Sequence, residues 1–316
     1  MLPLDVGVGL WSMRATAAAP ASLPVLYREL QEDARLAEEL GLHSLWLSEH
    51  HFWYDGWCPS LLVAGASALG ATSTLHVGTG VFLLPLHEPD RLVATGLALE
   101  QLAPGRFELG VGIGYREPEI DGLGISRRDR GRRVDHALES FGTSWADGGP
   151  RVWIGGIAER SLARAATRGL SLFLPSSMRL SQLSEVIERA REGAAAAGIP
   201  LGRIGVLKNA WVTDGSPAAA RQMNDAITTN TREYAGSWWM LQGQLGFTVP
   251  ELLDKQMSRA EETAIVGPPE HVAESLRELA GIGVDLVVLH VSADFTRPAY
   301  RENMRAIATD VLPLLQ

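Results

Sequence analysis

The sequence predicts a parallel α/β fold closed into a single (β/α)₈ TIM barrel, and three observations lead there. Short apolar runs alternate with amphipathic helical segments along almost the whole chain. Eight such runs can be marked, repeating with a regularity that suits a barrel and that an open doubly wound sheet of eight units rarely shows. The first strand-to-helix turn reads GLWSMRA, residues 9–15, and lacks the phosphate-binding glycine fingerprint of a dinucleotide fold.

The elements follow in order. Strand one is Leu4 to Leu10. The first helix runs from about Leu23 to Leu40, with Leu23, Leu26, Leu30, Ala34, Ala37 and Leu40 on one face, and Gly41 closes it as a C-terminal cap. Strand two is Leu42 to Leu47, helix two about Ser60 to Thr72, strand three Leu75 to Leu83 and helix three about Asp90 to Leu102, which Pro104-Gly105 ends. Strand four is Phe107 to Val111, helix four about Arg130 to Trp145, strand five Val152 to Ile154 and helix five about Glu159 to Arg168. Strand six is Leu170 to Leu174, helix six about Ser181 to Ala197 and strand seven Ile204 to Val212. A helical stretch begins near Pro217, a less regular insertion follows, and the chain ends with helix Pro269 to Ala280, strand Leu286 to His290 and helix Pro298 to Leu314. The whole chain, 1–316, reads as one domain.

A barrel gives strand ends their meaning, because catalytic groups gather where strands end and helices begin. After strand two the chain reads Glu49, His50, His51: a carboxylate and two imidazoles suited to acid-base work or to metal binding, or simply a polar strand end. A metal site built on this trio, with or without His290, is disfavoured and none is expected, since adjacent side chains on extended backbone point to opposite faces. The other ends carry Trp11 and Ser12, Gly80, Gly112, Gly114, Tyr115 and Arg116, Gly155 and Gly156, Pro175 to Ser177, Trp211 and His290. Aromatic, histidine and glycine residues at one rim suit a flat aromatic cofactor. Gly110, Gly112 and Gly114 alternate along strand four, which puts them on one face and opens room for a ring or tail. VWIGG, Val152 to Gly156, precedes a helix carrying Ser161, so free backbone N–H groups there favour an anion, or form a plain turn. Arg127, Arg128, Arg130, Arg132 and Arg133 cluster before helix four, either as a solvated surface or with one or two members reaching a phosphate or an anionic substrate.

Composition narrows the partners. Hydrophobic residues make up 46% and charged residues 21%, as in an ordinary globular protein, and a net charge of -9 argues against nucleic-acid binding. Cys58 is the only cysteine, which excludes internal disulfides and thiolate metal clusters and fits a reducing cytoplasm. The N-terminus MLPLDVGVGL carries no basic leader and no long apolar stretch appears, so neither export nor membrane insertion is expected. No Ser-His-Asp order or nucleophile elbow stands out, which makes hydrolysis a weak second class.

LWLSEHHF (45–52), ATSTLHVGTGVFLLPLHEP (71–89), LAPGRFELGVGIG (102–114), VWIGG (152–156) and VGPPEHVAESLRELAGIGVDLVVL (266–289) occur together and in order. In these segments the chain resembles the bacterial luciferase-like flavin-dependent monooxygenases, a family that also includes deazaflavin-dependent oxidoreductases. The resemblance implies that His50 lies near the reactive face of the flavin as the catalytic histidine, with Glu49 orienting it or shaping the pocket. It implies a non-proline cis peptide at Gly80-Val81 beneath the ring. Gly80, Val81, Gly112, Gly114, Gly155 and Gly156 would line the cofactor, with the phosphate near Gly156, Ile157, Ala158 and Ser161. Trp11, His51, Trp57, Tyr115 and Trp211, with Trp238 from the insertion, form the candidate substrate-binding set. A homodimer paired through helices two and three is the family expectation.

Departures from the family shape the functional expectation. Ile113 stands where mononucleotide enzymes near luciferase often carry an arginine, and the segment Ala146 to Arg151 is short. Gly236 to Glu262, with Trp238, Trp239, Met240 and Phe247, is either a lid over an apolar substrate or a packed surface excursion. The leading expectation is a monooxygenase that uses reduced FMN and dioxygen to oxidise a small organic substrate. A separate flavin reductase would supply the cofactor, because no nicotinamide fingerprint is present. The alternatives are hydride transfer with the deazaflavin coenzyme F-420, which Ile113 and the glycine-rich strand favour, and a noncatalytic flavin-binding subunit, which the intact Glu49-His50 pair disfavours.

Overall fold

The structure is a computed structural model. It describes residues 4–11, 14–15, 20–53, 56–145, 148–242, 249–290 and 297–316, and their side chains apart from those of 233, 235–242, 249, 250, 252 and 253. The elements are β1 (Asp5–Trp11), α1 (Leu23–Glu39), β2 (Ser44–Leu47), α2 (Leu61–Gly70), β3 (His76–Thr79), β4 (Phe82–Leu83), α3 (Pro89–Leu102), β5 (Phe107–Gly112), α4 (Glu117–Gly122) and α5 (Arg130–Ser144). They continue with β6 (Arg151–Gly155), α6 (Glu159–Ala166), β7 (Ser171–Leu174), α7 (Leu180–Ala197), β8 (Ile204–Val212), α8 (Pro217–Gln242), α9 (Val249–Thr263), β9 (Ile265–Gly267), α10 (Pro269–Gly281), β10 (Leu286–His290) and α11 (Arg297–Ala306).

Strands β1, β2, β3, β5, β6, β7, β8 and β10 pair in that order, all parallel, and β10 pairs back onto β1, so the sheet closes into the expected eight-stranded barrel. Two short strands extend it: β4 on β5 and β9 on β8. Alternation along each strand separates two cores. Leu45, Leu47, Val77, Leu109, Val111, Val206 and Leu289 face the helix layer. Inside the barrel, Trp46, Trp153, Phe173, Leu286 and Val288 form a plug, with Trp46 stacked on Phe173 at 4.6 Å and edge-on to Trp153 at 5.6 Å. Trp46 fits because β3 offers Gly78 beside it; any Cβ there would collide with the indole.

The structure corrects several sequence expectations. Strand three is not continuous over Leu75 to Leu83: it breaks into β3 and β4 around a cis Gly80–Val81 peptide, and a second cis peptide joins Gly9 and Leu10. Gly110 and Gly112 do not hold open a slot. They admit the Thr79 carbonyl and the Val81 side chain, which also presses on Gly155. The stretch expected to be irregular is largely helical, since α8 runs to Gln242 and α9 begins at Val249, and the two helices pack together with Arg232 Nε donating to Met257 Sδ at 3.4 Å. Phe247 lies outside the described residues, as do the side chains of Trp238, Trp239 and Met240. Among the described residues no helix is long and apolar enough to cross a membrane.

Candidate active site

After β2 the backbone stays extended, held by Ser48 N–H to Trp11 O at 2.9 Å and His50 N–H to Cys58 O at 3.3 Å. Extended backbone alternates its side chains, and this sends Glu49 and His51 to one side and His50 to the other. The consequence decides the chemistry of the trio.

On one side, Glu49 Oε1 lies 2.6 Å from His51 Nε2 and 2.8 Å from His87 Nε2, while Oε2 accepts the Leu83 N–H at 2.7 Å. Burial pushes this carboxyl up, but bonds from His51, His87 and Leu83 outweigh it and hold Glu49 below the usual carboxylate range. These are three metal-ligand types whose donor atoms lie within 4.8 Å of one another. The separations are nevertheless those of hydrogen bonds, shorter than the edge of about 3.3 Å between ligands on a tetrahedral ion with bonds of about 2.0–2.1 Å. Glu49 therefore ties the β2 exit to β4 and does not orient His50, a correction to the expected pairing.

On the other side, His50 Nδ1 is 2.7 Å from Glu119 Oε1. The same oxygen accepts the His51 backbone N–H at 2.9 Å and Arg116 Nη1–H at 2.8 Å. Burial raises the Glu119 carboxyl, but the hydrogen bonds from His50, the His51 N–H and Arg116 overcome it, so the carboxylate is held below its ordinary value. Burial lowers the His50 imidazole despite the opposing pull of Glu119, and Arg116 lowers it further. A neutral imidazole facing an ionised, acceptor-only carboxylate places its proton on Nδ1. Nε2 is left with the lone pair. The Tyr115 and Tyr234 hydroxyls each lie 3.3 Å from it.

Aromatic rings fix this imidazole in place. Trp57 meets it edge-on at 4.5 Å and is pinned by its Nε1–H to Ser48 O and Oγ at 3.1 and 3.0 Å. Trp53 lies 5.0 Å from His50, with the Arg116 guanidinium 4.2 Å over its ring. Arg14, after β1, stands 4.9 Å over Trp57 and bonds Asn230 of α8 at 3.2 Å. At the interior rim, His290 Nδ1–H donates to Asn209 Oδ1 at 2.9 Å, and burial together with the Arg14 charge lowers His290 to about 4.

The remaining candidates divide by which side of the barrel wall they occupy. Leu10, Val81 and Leu207 pack on the interior plug yet are only partly buried, forming an apolar floor at the C-terminal mouth. Gly112 and Gly155 flank Val81, Gly80 lies against Leu10 and Phe173, and Gly114 gives its carbonyl to Arg130 Nη1 at 2.7 Å. Gly156 has φ +114°, and it opens onto exposed Ile157 and Ala158 and buried Ser161 where α6 begins. Trp11 and Trp211 belong to neither group. Trp11 is buried toward the helix layer, its Nε1–H on Asp33 Oδ2 at 3.1 Å and its ring against Tyr300, and Trp211 packs on the same outer core. Of the arginine cluster, Arg127 pairs with Glu117 and Arg133 spans Pro85 O, His87 O and Glu88.

Sequence reading missed Glu119 as the partner of His50. The signal was present in Glu117-Pro118-Glu119, since proline in the first turn and acidic residues around it mark a helix start. Tyr234 and Arg14 carried no local signal.

An eight-stranded β/α barrel with a histidine–carboxylate pair and an apolar floor at its C-terminal mouth has the architecture of a barrel enzyme. Residues 8–286 match the luciferase-like monooxygenase family, and the chain belongs to it. Among curated relatives, the 4-hydroxyprotoasukamycin monooxygenase of Streptomyces nodosus subsp. asukaensis is 36% identical over 118 residues, which are 36% of this chain and 30% of that protein. The alkanal monooxygenase alpha chain of Photobacterium leiognathi is 23% identical over 89% of this chain and 91% of its own length. The chain spans only 27% and 52% of the lengths of two other curated relatives it matches. Among solved structures, the monooxygenase RslO1 of Streptomyces bottropensis superposes with TM-score 0.81 at 22% identity, covering 98% of this chain and 99% of that one. The FMN complex of the oxygenating constituent of 3,6-diketocamphane monooxygenase from Pseudomonas putida gives 0.77 at 17% identity, covering 99% of each chain. An F420-dependent secondary alcohol dehydrogenase gives 0.75 at 16%, covering 100% of each.

Proposed function

We propose that this chain is a monooxygenase that binds reduced FMN at the barrel mouth and oxidises a small organic substrate with dioxygen, His50 acting as its proton-handling residue. The observation that carries this reading is the placement of the His50 imidazole, its Nδ1 2.7 Å from Glu119 Oε1 and its Nε2 facing the Tyr115 and Tyr234 hydroxyls. The residues present fit the cofactor. Leu10, Val81 and Leu207 offer an apolar floor for a planar ring, and the start of α6, where exposed Ile157 and Ala158 and the Ser161 side chain lie beside Gly156, offers a helix N-terminus for its phosphate, although the Gly156 and Ser161 N–H groups already donate to Phe173 O and Ala158 O. When bound, reduced flavin supplies the electrons that activate dioxygen. The protein supplies position and protons: Trp53 and Trp57 hold the imidazole, Glu119 fixes its tautomer, and Trp57 with Tyr115 bounds an aromatic space for substrate.

A deazaflavin hydride-transfer enzyme is the second reading, favoured by Ile113, a half-exposed apolar side chain where a phosphate-holding arginine was expected. Titration with reduced FMN and with the deazaflavin, followed by absorbance, separates the two. Tight binding of only the deazaflavin would refute the oxygenase. The reading includes a separate reductase and a homodimer seated on exposed Val63 of α2 and Leu102 of α3. Sedimentation showing only monomer at working concentration rules out the dimer.

A further inference from the structure

His50 Nε2, the atom that accepts or returns protons, is faced by two phenols from distant parts of the chain: Tyr115 beyond β5 and Tyr234 on α8, each at 3.3 Å. Both distances are long for a bond to a strong acceptor, as expected where one lone pair is divided between two donors. The two tyrosines differ in setting. Tyr115 sits at the rim with 36% of its surface exposed. Tyr234 is partly buried, stacked on Trp53 at 5.7 Å with an interplanar angle of 14° and close to Trp57 at 5.6 Å. Burial raises the Tyr234 hydroxyl well above its ordinary range, so it does not ionise near neutrality.

We propose that Tyr234 is the relay through which His50 exchanges protons with the reacting group, making α8 a contributor to the site; the proposal rests on the reading of His50 above. The transfer conserves charge on the phenol. As a proton leaves the reacting group for Tyr234 Oη, the phenol's own proton passes along its hydrogen bond to His50 Nε2, and the imidazolium formed is balanced by Glu119 through Nδ1–H. The reverse sequence returns it. Tyrosine remains neutral throughout, which matches its inability to ionise. Among the described residues, the charged groups acting on this cluster are Arg14 from the β1 exit, Arg116 and Glu119 from the start of α4, and, from the opposite side of the β2 exit, Glu49.

Two measurements on the full chain test the relay. In protein labelled with ¹⁵N in its histidines, Tyr234→Phe is expected to shift the His50 Nε2 resonance more than Tyr115→Phe does, with Nδ1 unmoved. The second uses the protein loaded with whichever reduced cofactor binds in the titration above, following cofactor oxidation across neutral pH. Tyr234→Phe is expected to slow it about 10–100-fold and to abolish the same pH dependence that His50→Ala abolishes. A Tyr234→Phe variant that keeps a pH dependence lost in His50→Ala overturns the relay and leaves the role of His50 standing. A His50→Ala variant with the wild-type profile removes the reading on which the relay rests. An Nε2 resonance that responds only to Tyr115→Phe also overturns it.

Discussion

The decisive residue is Glu119. Its single Oε1 collects the imidazole N–H of His50, a backbone N–H and an arginine, so it sets both the tautomer of His50 and the charge beside it. Replacing the carboxylate by an amide keeps the volume but removes the anion and leaves Arg116 buried without its counter-charge. Glu119→Gln is therefore expected to lower kcat by about 10²-fold or more. Glu49→Gln instead breaks the link between β2 and β4 and should cost stability, about 1–3 kcal/mol, before it costs turnover. Urea unfolding alongside steady-state kinetics on both variants checks the split; equal losses of kcat would show that the two carboxylates do not divide their work this way. His50 was legible in the sequence because a strand end, a polar run and a family pattern coincided there. Its partners were not, since Glu119 lies 69 residues on and Tyr234 lies 184 residues on, and no local periodicity encodes which distant side chain meets a given imidazole.

At the scale of elements, the strands were legible wherever apolar runs were bounded by turn residues, and the errors fell where a local rule met a tertiary demand. Leu75 to Leu83 reads as one strand by hydrophobicity, but the backbone breaks after Thr79 so that Val81 can enter the barrel mouth between Gly112 and Gly155. α4 is only six residues long, too short for a helical period to show. The β2–β3 contact tests how tightly these elements are matched. Gly78→Ala places a methyl group against the Trp46 ring and is expected to cost about 1–3 kcal/mol, as overpacked cores do. Trp46→Phe should relieve part of that cost, so the double variant should be more stable than the sum of the single losses predicts. Strict additivity in urea denaturation would mean that Gly78 does not serve the indole.

The barrel carries partly buried histidines near both ends, and their shared sign gives the molecule its acid response. His43 is lowered to about 4 by burial, Asp5 notwithstanding, and His290 at the opposite rim is lowered to about 4 by burial and Arg14. In each case the folded pKa lies below the unfolded value of 6.5, so between pH 6.5 and about 4 the unfolded chain binds a proton that the folded chain refuses. Stability must fall as pH falls through that window and then level off, by up to roughly 3 kcal/mol for each histidine. The depressed carboxylates Glu49 and Glu119 act in the same direction at lower pH, losing their contribution below the unfolded carboxylate range. Asp33 opposes them, because burial raises its carboxyl despite Arg297 and Arg301, and protonation relieves that cost. The histidine term is separable by substitution: His43→Asn combined with His290→Asn removes both proton sites while keeping polar side chains of similar reach. Denaturant unfolding at successive pH values is expected to show a shallower decline for the double variant than for the parent chain. A parent whose stability stays flat across the window, or a double variant that declines as steeply, would mean that these imidazoles are protonated in the folded barrel.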